Sequence, residues 1–197
     1  MNPYIENDGQ LYLFDDFISG AQANDLFDKL MEELQWTSEA IKIYGKTITV
    51  PRLVCWYGDK GAIYSYSGIT HSPLPWTPAL LQVKKSIEQC GQQTFNSVLA
   101  NLYRNEMDSM GWHADKEKEL GKNPTIASLS LGEERRFSLR HNKTKQVHNI
   151  ALRHGSLVIM AGSFQHHWQH CIPKSKPPKN ARINLTFRNI IIPTQKD

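Results

Sequence analysis

His113 and Asp115 stand two residues apart in the segment Trp112-His113-Ala114-Asp115. On an extended backbone such residues point the same way, so an imidazole nitrogen and a carboxylate oxygen can meet one cation. A second histidine from elsewhere completes a 2-His-1-carboxylate set, which leaves coordination positions open for a co-substrate and O2. Three candidates follow the apolar run of residues 156–161: His166, His167 and His170. Local chemistry does not choose among them. His148 and His154 read as surface or loop residues. A His-x-Asp pair is also common by chance, so the metal reading needs a second feature.

The segment Arg182-Ile183-Asn184-Leu185-Thr186-Phe187-Arg188 supplies it. Read with period two, Arg182, Asn184, Thr186 and Arg188 share one face, and Ile183, Leu185 and Phe187 the other. Facing bulk water, this is an ordinary amphipathic strand. Facing the inside of a barrel, two guanidiniums need anionic partners, because an unpaired buried charge is costly. A small dicarboxylate answers both through charge-assisted hydrogen bonds. Asn101-Leu102-Tyr103 repeats the logic, with Asn101 and Tyr103 on one side and Leu102 on the other.

These groups need a scaffold. Residues 21–35 place Leu26, Leu30 and Leu34 on one helical face, with Ser19 or Asn24 available as cap. Residues 79–92 read as a second amphipathic helix, after a Pro-rich loop at 71–78. Residues 41–57 alternate around a hairpin turn at Gly45. Further strands are predicted at 97–104, 126–131, 135–141, 147–152, 156–161 and 182–191. The fold class is α+β, mainly β: helices first, then a β-rich catalytic half built as a sandwich or barrel. We expect one domain over 1–197, with helices and a lid in 1–95 and the catalytic core in 96–192.

Charge is unevenly spread. Twelve Lys or Arg and no Asp or Glu lie between Arg135 and Lys196, whereas the first 134 residues are net acidic. Such asymmetry points to an anionic partner, nucleic acid first, unless it only solubilises that surface. No apolar run approaches the roughly 18–20 residues of a membrane span. The N-terminus has no basic segment followed by an apolar one, which argues against secretion. Three scattered cysteines (Cys55, Cys90, Cys171) suit a reducing compartment.

Over about residues 40–190 the chain resembles the AlkB family of nucleic-acid dealkylating dioxygenases. The resemblance rests on Asn101-Leu102-Tyr103-Arg104, His113-x-Asp115, Ile126-Ala127-Ser128-Leu129-Ser130, His154-Gly155-Ser156-Leu157, Trp168-Gln169-His170 and Arg182-x-Asn184-Leu185-Thr186-Phe187-Arg188, in that order. It implies a double-stranded β-helix, or jelly-roll, with iron at one mouth. The distance from His170 to Arg182 and Arg188 is similar to that in the animal homologues, which selects His170 as third ligand. By position, His113, Asp115 and His170 would bind Fe(II). Arg182, Tyr103 and Asn184 would hold the distal carboxylate of 2-oxoglutarate. Arg188 and Asn101 would hold the carboxylate near the metal, with Thr186 on the same strand face.

The resemblance also implies alkylated DNA as partner, double- or single-stranded, and possibly RNA. The implied reaction would be oxidative demethylation of 1-methyladenine and 3-methylcytosine with O2, releasing formaldehyde, succinate and CO2. A flipped base needs aromatic stacking and edge hydrogen bonds. Trp56-Tyr57-Gly58-Asp59 and Tyr64-Ser65-Tyr66-Ser67-Gly68 look like the family's nucleotide-recognition lid, which makes Trp56, Tyr64, Tyr66 and Ser67 base-contact candidates. Glu117 matches an acidic position near the substrate, although the neighbouring Lys116 departs from the family's acid. Tyr44, in a segment similar to the hairpin finger of the double-strand-preferring homologue, would fill the gap left by the flipped base. Arg52, Lys42, Lys46 and the stretch Lys174 to Lys179 would meet phosphates. A monomer is expected, in the cytoplasm of a bacterium or the nucleus of a eukaryote.

Overall fold

The computed structural model describes residues 2–43, 46–66 and 69–192. In chain order the elements are β1 (Gln10–Phe14), α1 (Gly20–Glu33), β2 (Thr37–Ile43), β3 (Lys46–Gly58), β4 (Tyr64–Tyr66), β5 (Ile69–His71), α2 (Pro78–Gly91), β6 (Ser97–Tyr103) and β7 (Met110–His113). They continue with β8 (Ile126–Gly132), β9 (Arg135–His141), β10 (Val147–Leu152), β11 (Leu157–Ala161), α3 (Phe164–His167), β12 (Trp168–Ile172) and β13 (Arg182–Arg188).

Helix α1 starts where Ser19 forms a capping box with Gln22, which settles the cap in favour of Ser19. Helix α2 is capped by Thr77 with Pro78 at its first position, where the missing N–H costs nothing. Both helices lay apolar faces on the large sheet: Ala23, Leu30, Leu80, Val83 and Ile87 join Ala100, Leu129, Leu185 and Phe187 in one core.

The large sheet has seven strands in the order β1-β11-β8-β13-β6-β3-β2, and the small one four, β10-β9-β12-β7. The ladders within both are antiparallel. A second core, including Leu11, Tyr103, Ile126, Phe137, Leu139, Met160 and Trp168, lies between them. This is the jelly-roll expected, closed around an interior that receives every second residue of each strand. All seven residues of β13 are buried. Its odd positions pack under the helices and its even positions face the barrel interior, so the polar face does not meet bulk water.

Five strands escape the sequence reading: β1, β7, β12 and the short pair β4 and β5. Strand β13 stops at Arg188, earlier than expected. Gly132 turns the chain from β8 to β9 at φ 85°, where an added Cβ would come within 2.5 Å of the Ala181 carbonyl. That tight turn sits opposite Arg182 in the β13–β8 register.

Candidate metal and co-substrate site

Pairing of β12 with β7 puts His170 directly opposite His113. Asp115 follows two residues after His113, where its backbone N–H donates to Gln165 Oε1 at 3.0 Å. The ligand atoms of His113, Asp115 and His170 all lie within 4.8 Å of one another. His113 Nδ1–H donates to the Gly111 carbonyl at 2.8 Å, which leaves Nε2 with a free lone pair. Asp115 Oδ1 accepts from Arg188 Nη2 at 3.0 Å, and Oδ2 is buried with no partner.

Electrostatics prepare these groups for a cation. Burial pushes the His170 imidazole down to about 3, helped by His113 beside it. Burial likewise lowers His113. For Asp115, burial alone would raise the carboxyl, but the Arg188 guanidinium and both imidazoles outweigh it and hold it at about 2. At neutral pH the cluster therefore offers two neutral imidazoles and one carboxylate, the protonation state that metal binding demands.

His166 and His167 do not join the cluster. They belong to the short helix α3, and His166 Nε2 meets Asn123 and the Lys122 carbonyl. His167 approaches Asp8 and His141 instead. There the Thr144 backbone N–H donates to His141 Nδ1 at 3.1 Å, so Nε2 carries the proton it donates to Asp8 Oδ2, also at 3.1 Å. With both nitrogens engaged, His141 ties the N-terminal turn to β9 and offers no lone pair to a metal.

Behind the His-Asp-His cluster lies a narrow chamber lined by Asn101, Tyr103, Arg182, Asn184, Thr186 and Arg188. Arg182 donates to Ser130 Oγ at 2.9 Å and lies 5.1 Å from the centre of the Tyr103 ring. Its Nε and Nη1 are buried with no partner, and burial lowers its pKa to about 10. Asn184 donates to Ser128 Oγ at 2.8 Å and accepts from Thr186 Oγ1 and Asn101 Nδ2. Ser128 and Ser130 went unassigned in the sequence, although Ser128 and Ser130 alternate with Ala127, Leu129 and Leu131 as the polar and apolar residues of β13 do. Gln165 carried no comparable signal.

In front of the cluster a cavity of about 490 Å³ is lined by His113, Asp115 and Arg188 together with Arg52, Trp56 and Glu39. Trp56 donates its indole N–H to the Ala62 carbonyl. Arg52 departs from expectation: it is only 3% exposed and donates from Nε to Asn101 Oδ1 at 2.8 Å. It belongs to the cavity wall, withdrawn from any phosphate backbone outside. Glu117 is half-buried with Oε2 enclosed, and it lines neither chamber. Tyr64 and Tyr66 occupy β4, opposite His71 and Ile69 of β5. Ser72, the residue after β5, lines the cavity, which places this hairpin at its rim. Tyr44 and Ser67 lie outside the described residues.

Among the basic residues of the C-terminal third, Arg135, Arg182 and Arg188 are buried. Arg135 donates to the carbonyls of Asn105, Asp108 and Pro173 and holds two loops together. Lys174 and Lys176 remain exposed, next to a surface hollow that Arg136 and Lys179 also line. No helix among the described residues is long and apolar enough to cross a membrane.

The sequence profile of the 2OG-Fe(II) oxygenase superfamily matches residues 10–188. Alpha-ketoglutarate-dependent dioxygenase alkB homolog 3 of Bos taurus is 41% identical over 184 residues, which is 88% of this chain and 64% of that protein. The chain thus spans just under two thirds of that relative. DNA oxidative demethylase ALKBH2 of Mus musculus is 38% identical over 187 residues, 89% of this chain and 78% of that one. The solved structure of OsALKBH1 superposes with a TM-score of 0.69 at 16% identity, covering 94% of this chain and all of that one, a likeness of fold alone.

Proposed function

From a chain that belongs to the 2OG-Fe(II) oxygenase superfamily, and within it to the AlkB family, we propose an oxidative demethylase of N-alkylated bases in DNA. The superfamily works with Fe(II), 2-oxoglutarate and O2. The residues present fit the metal and the co-substrate. His113, Asp115 and His170 would hold the iron, because they offer three anionic or neutral donors in one enclosed cluster. Arg182 would take the distal carboxylate of 2-oxoglutarate, with Tyr103 and Asn184, and Arg188 and Asn101 the other. Iron and co-substrate together supply the oxidising power that inserts oxygen into a C–H bond.

The observation that carries this reading is Arg182. A fully buried guanidinium with two unpartnered nitrogens, behind a His-Asp-His cluster, calls for an anion small enough to enter a narrow chamber. The front cavity then receives the second substrate. Its aromatic wall at Trp56 and the rim hairpin carrying Tyr64 and Tyr66 suit a flipped base. Hydroxylation of the N-methyl carbon and collapse of the product release formaldehyde and restore the base. 1-Methyladenine and 3-methylcytosine place that methyl on the Watson–Crick edge. Lys174 and Lys176 would follow the phosphates outside, with duplex DNA a substrate if Tyr44 fills the vacated stack.

The test is formaldehyde release and mass shift on matched methylated single- and double-stranded oligonucleotides. Product is expected from both. No product from either overturns the base reading and leaves the metal site standing.

A further inference from the structure

Arg52 connects the two chambers. It reaches from the wall of the front cavity, while Asn101, which accepts its Nε–H, lines the chamber behind the metal cluster. The two strands bring them together: β3 pairs with β6 in the register Val54↔Asn101, and Arg52 stands two residues along on the same face. Among the described residues no carboxylate pairs with the Arg52 guanidinium, although it is buried. A salt bridge therefore does not explain its place. Its defined bond is to a neutral amide.

That bond has a direction. A guanidinium only donates, so the side of the Asn101 amide that faces Arg52 must be the oxygen. The amide nitrogen then points the other way, and it does so here, donating to Asn184 Oδ1 at 3.2 Å. Asn184 is itself fixed, because its nitrogen also donates to the Leu129 carbonyl at 3.3 Å, an oxygen that only accepts. Turned over, Asn101 would set its oxygen against the Asn184 oxygen and present a lone pair to any carboxylate in the chamber. Arg52 and Asn184 therefore oppose that flip from opposite sides, and Arg52 is the one that does so with a full charge.

We propose that Arg52 is a positioning residue for the co-substrate: bonded to Asn101 Oδ1 from the base-cavity side, it locks the amide N–H toward the co-substrate chamber. The inference rests on the 2-oxoglutarate reading of that chamber. It moves Arg52 from the nucleic-acid ledger to the co-substrate one. Removing it should weaken 2-oxoglutarate even with no nucleic acid present.

The experiment measures 2-oxoglutarate affinity by calorimetry on the Mn(II)-loaded protein, where no turnover occurs. Arg52→Met keeps bulk and removes the donor, and is expected to weaken binding roughly tenfold, the scale of a hydrogen bond to a charged group. Asn101→Ala should weaken it comparably, and the double variant should bind no worse than Asn101→Ala alone. Arg52→Lys keeps a charged donor that cannot accept and should stay within about threefold of wild type. Binding of Arg52→Met within twofold of wild type, or losses that multiply in the double variant, overturns the proposal. If Arg52→Met does not fold, Arg52→Leu, which also removes the donor, is read by the same criteria: binding within twofold of wild type there overturns the proposal. A wild-type protein that binds no 2-oxoglutarate removes the chamber reading and this inference with it. One that binds it but demethylates no oligonucleotide removes only the choice of substrate.

Discussion

Arg188, the last residue of β13, places Nη2 3.0 Å from Asp115 Oδ1, so the strand that anchors the co-substrate also grips the carboxylate of the metal cluster. Both side chains are about 95% enclosed. The guanidinium keeps Asp115 ionised against its burial and fixes which oxygen stays free for a cation.

Substituting Arg188 should therefore weaken metal binding although it is not a ligand. Partners that orient a metal ligand commonly change affinity about 10–100-fold. Arg188→Met is expected to lower Mn(II) affinity in that range, read by titration without 2-oxoglutarate. An unchanged affinity would mean that Asp115 is held by its own backbone alone.

Arg182 makes a separate prediction about ligand-linked stability. If 2-oxoglutarate neutralises a buried cation, a concentration of 100 times its Kd stabilises the fold by about 2.7 kcal/mol. For a domain of this size that is a rise of roughly 5–10 °C in Tm. Arg182→Gln should abolish most of that rise while Lys174→Ala leaves it intact. Equal shifts in wild type and Arg182→Gln would place the co-substrate elsewhere.

The two faces of β13 should respond differently to truncation. Leu185 is fully buried among Leu80, Ile87 and Leu129 under the helices, and Leu185→Ala should cost about 2–5 kcal/mol. Thr186→Ala, on the chamber face, removes one hydroxyl that donates to Asn184 and should cost about 1 kcal/mol. Urea unfolding compares them. A larger loss at Thr186 would reverse the assignment of the faces.

Acid should destabilise the metal-free protein before it affects most carboxylates. The folded chain holds His170 near 3, whereas in the unfolded chain it titrates near its ordinary value of 6.5. Between those values only the unfolded state binds the proton, so the stability is complete above about pH 6.5 and drains as pH falls toward 3. His113 shifts in the same direction and adds to it. The loss is on the order of a few kcal/mol. Urea midpoints of chelator-treated protein at pH 7 and pH 5 measure it, and His170→Gln should flatten the dependence. The same slope in that variant would assign the acid sensitivity elsewhere.

Much of this site could be read from residues alone, and the rest failed for identifiable reasons. The alternation of β13 declared one polar and one apolar face because seven consecutive residues obey one period, and the fold then turns the polar face inward. The third metal ligand did not declare itself, since His166, His167 and His170 share a neighbourhood. What separates them is that the chain breaks into a single helical turn at 164–167 and re-enters the sheet at Trp168, so that His170 comes to pair with β7. Strands as short and mixed as Met110–His113 and Trp168–Ile172 carry no periodic signal; pairing with distant partners makes them strands. Arg52 looked like a surface cation because charge is normally exposed. Its burial depends on an asparagine 49 positions away. Arg135 is a similar case, a cation spent on three backbone carbonyls.

The central claim is that His113, Asp115 and His170 hold iron in front of a 2-oxoglutarate chamber anchored by Arg182. Anaerobic titration of the apoprotein with Fe(II) and 2-oxoglutarate tests it most directly, because chelation of the keto acid by bound iron produces a weak metal-to-ligand charge-transfer band. The band should appear in wild type, vanish in His170→Ala, and require far more 2-oxoglutarate in Arg182→Gln. No band in folded wild-type protein, or a band undiminished in His170→Ala, contradicts the account.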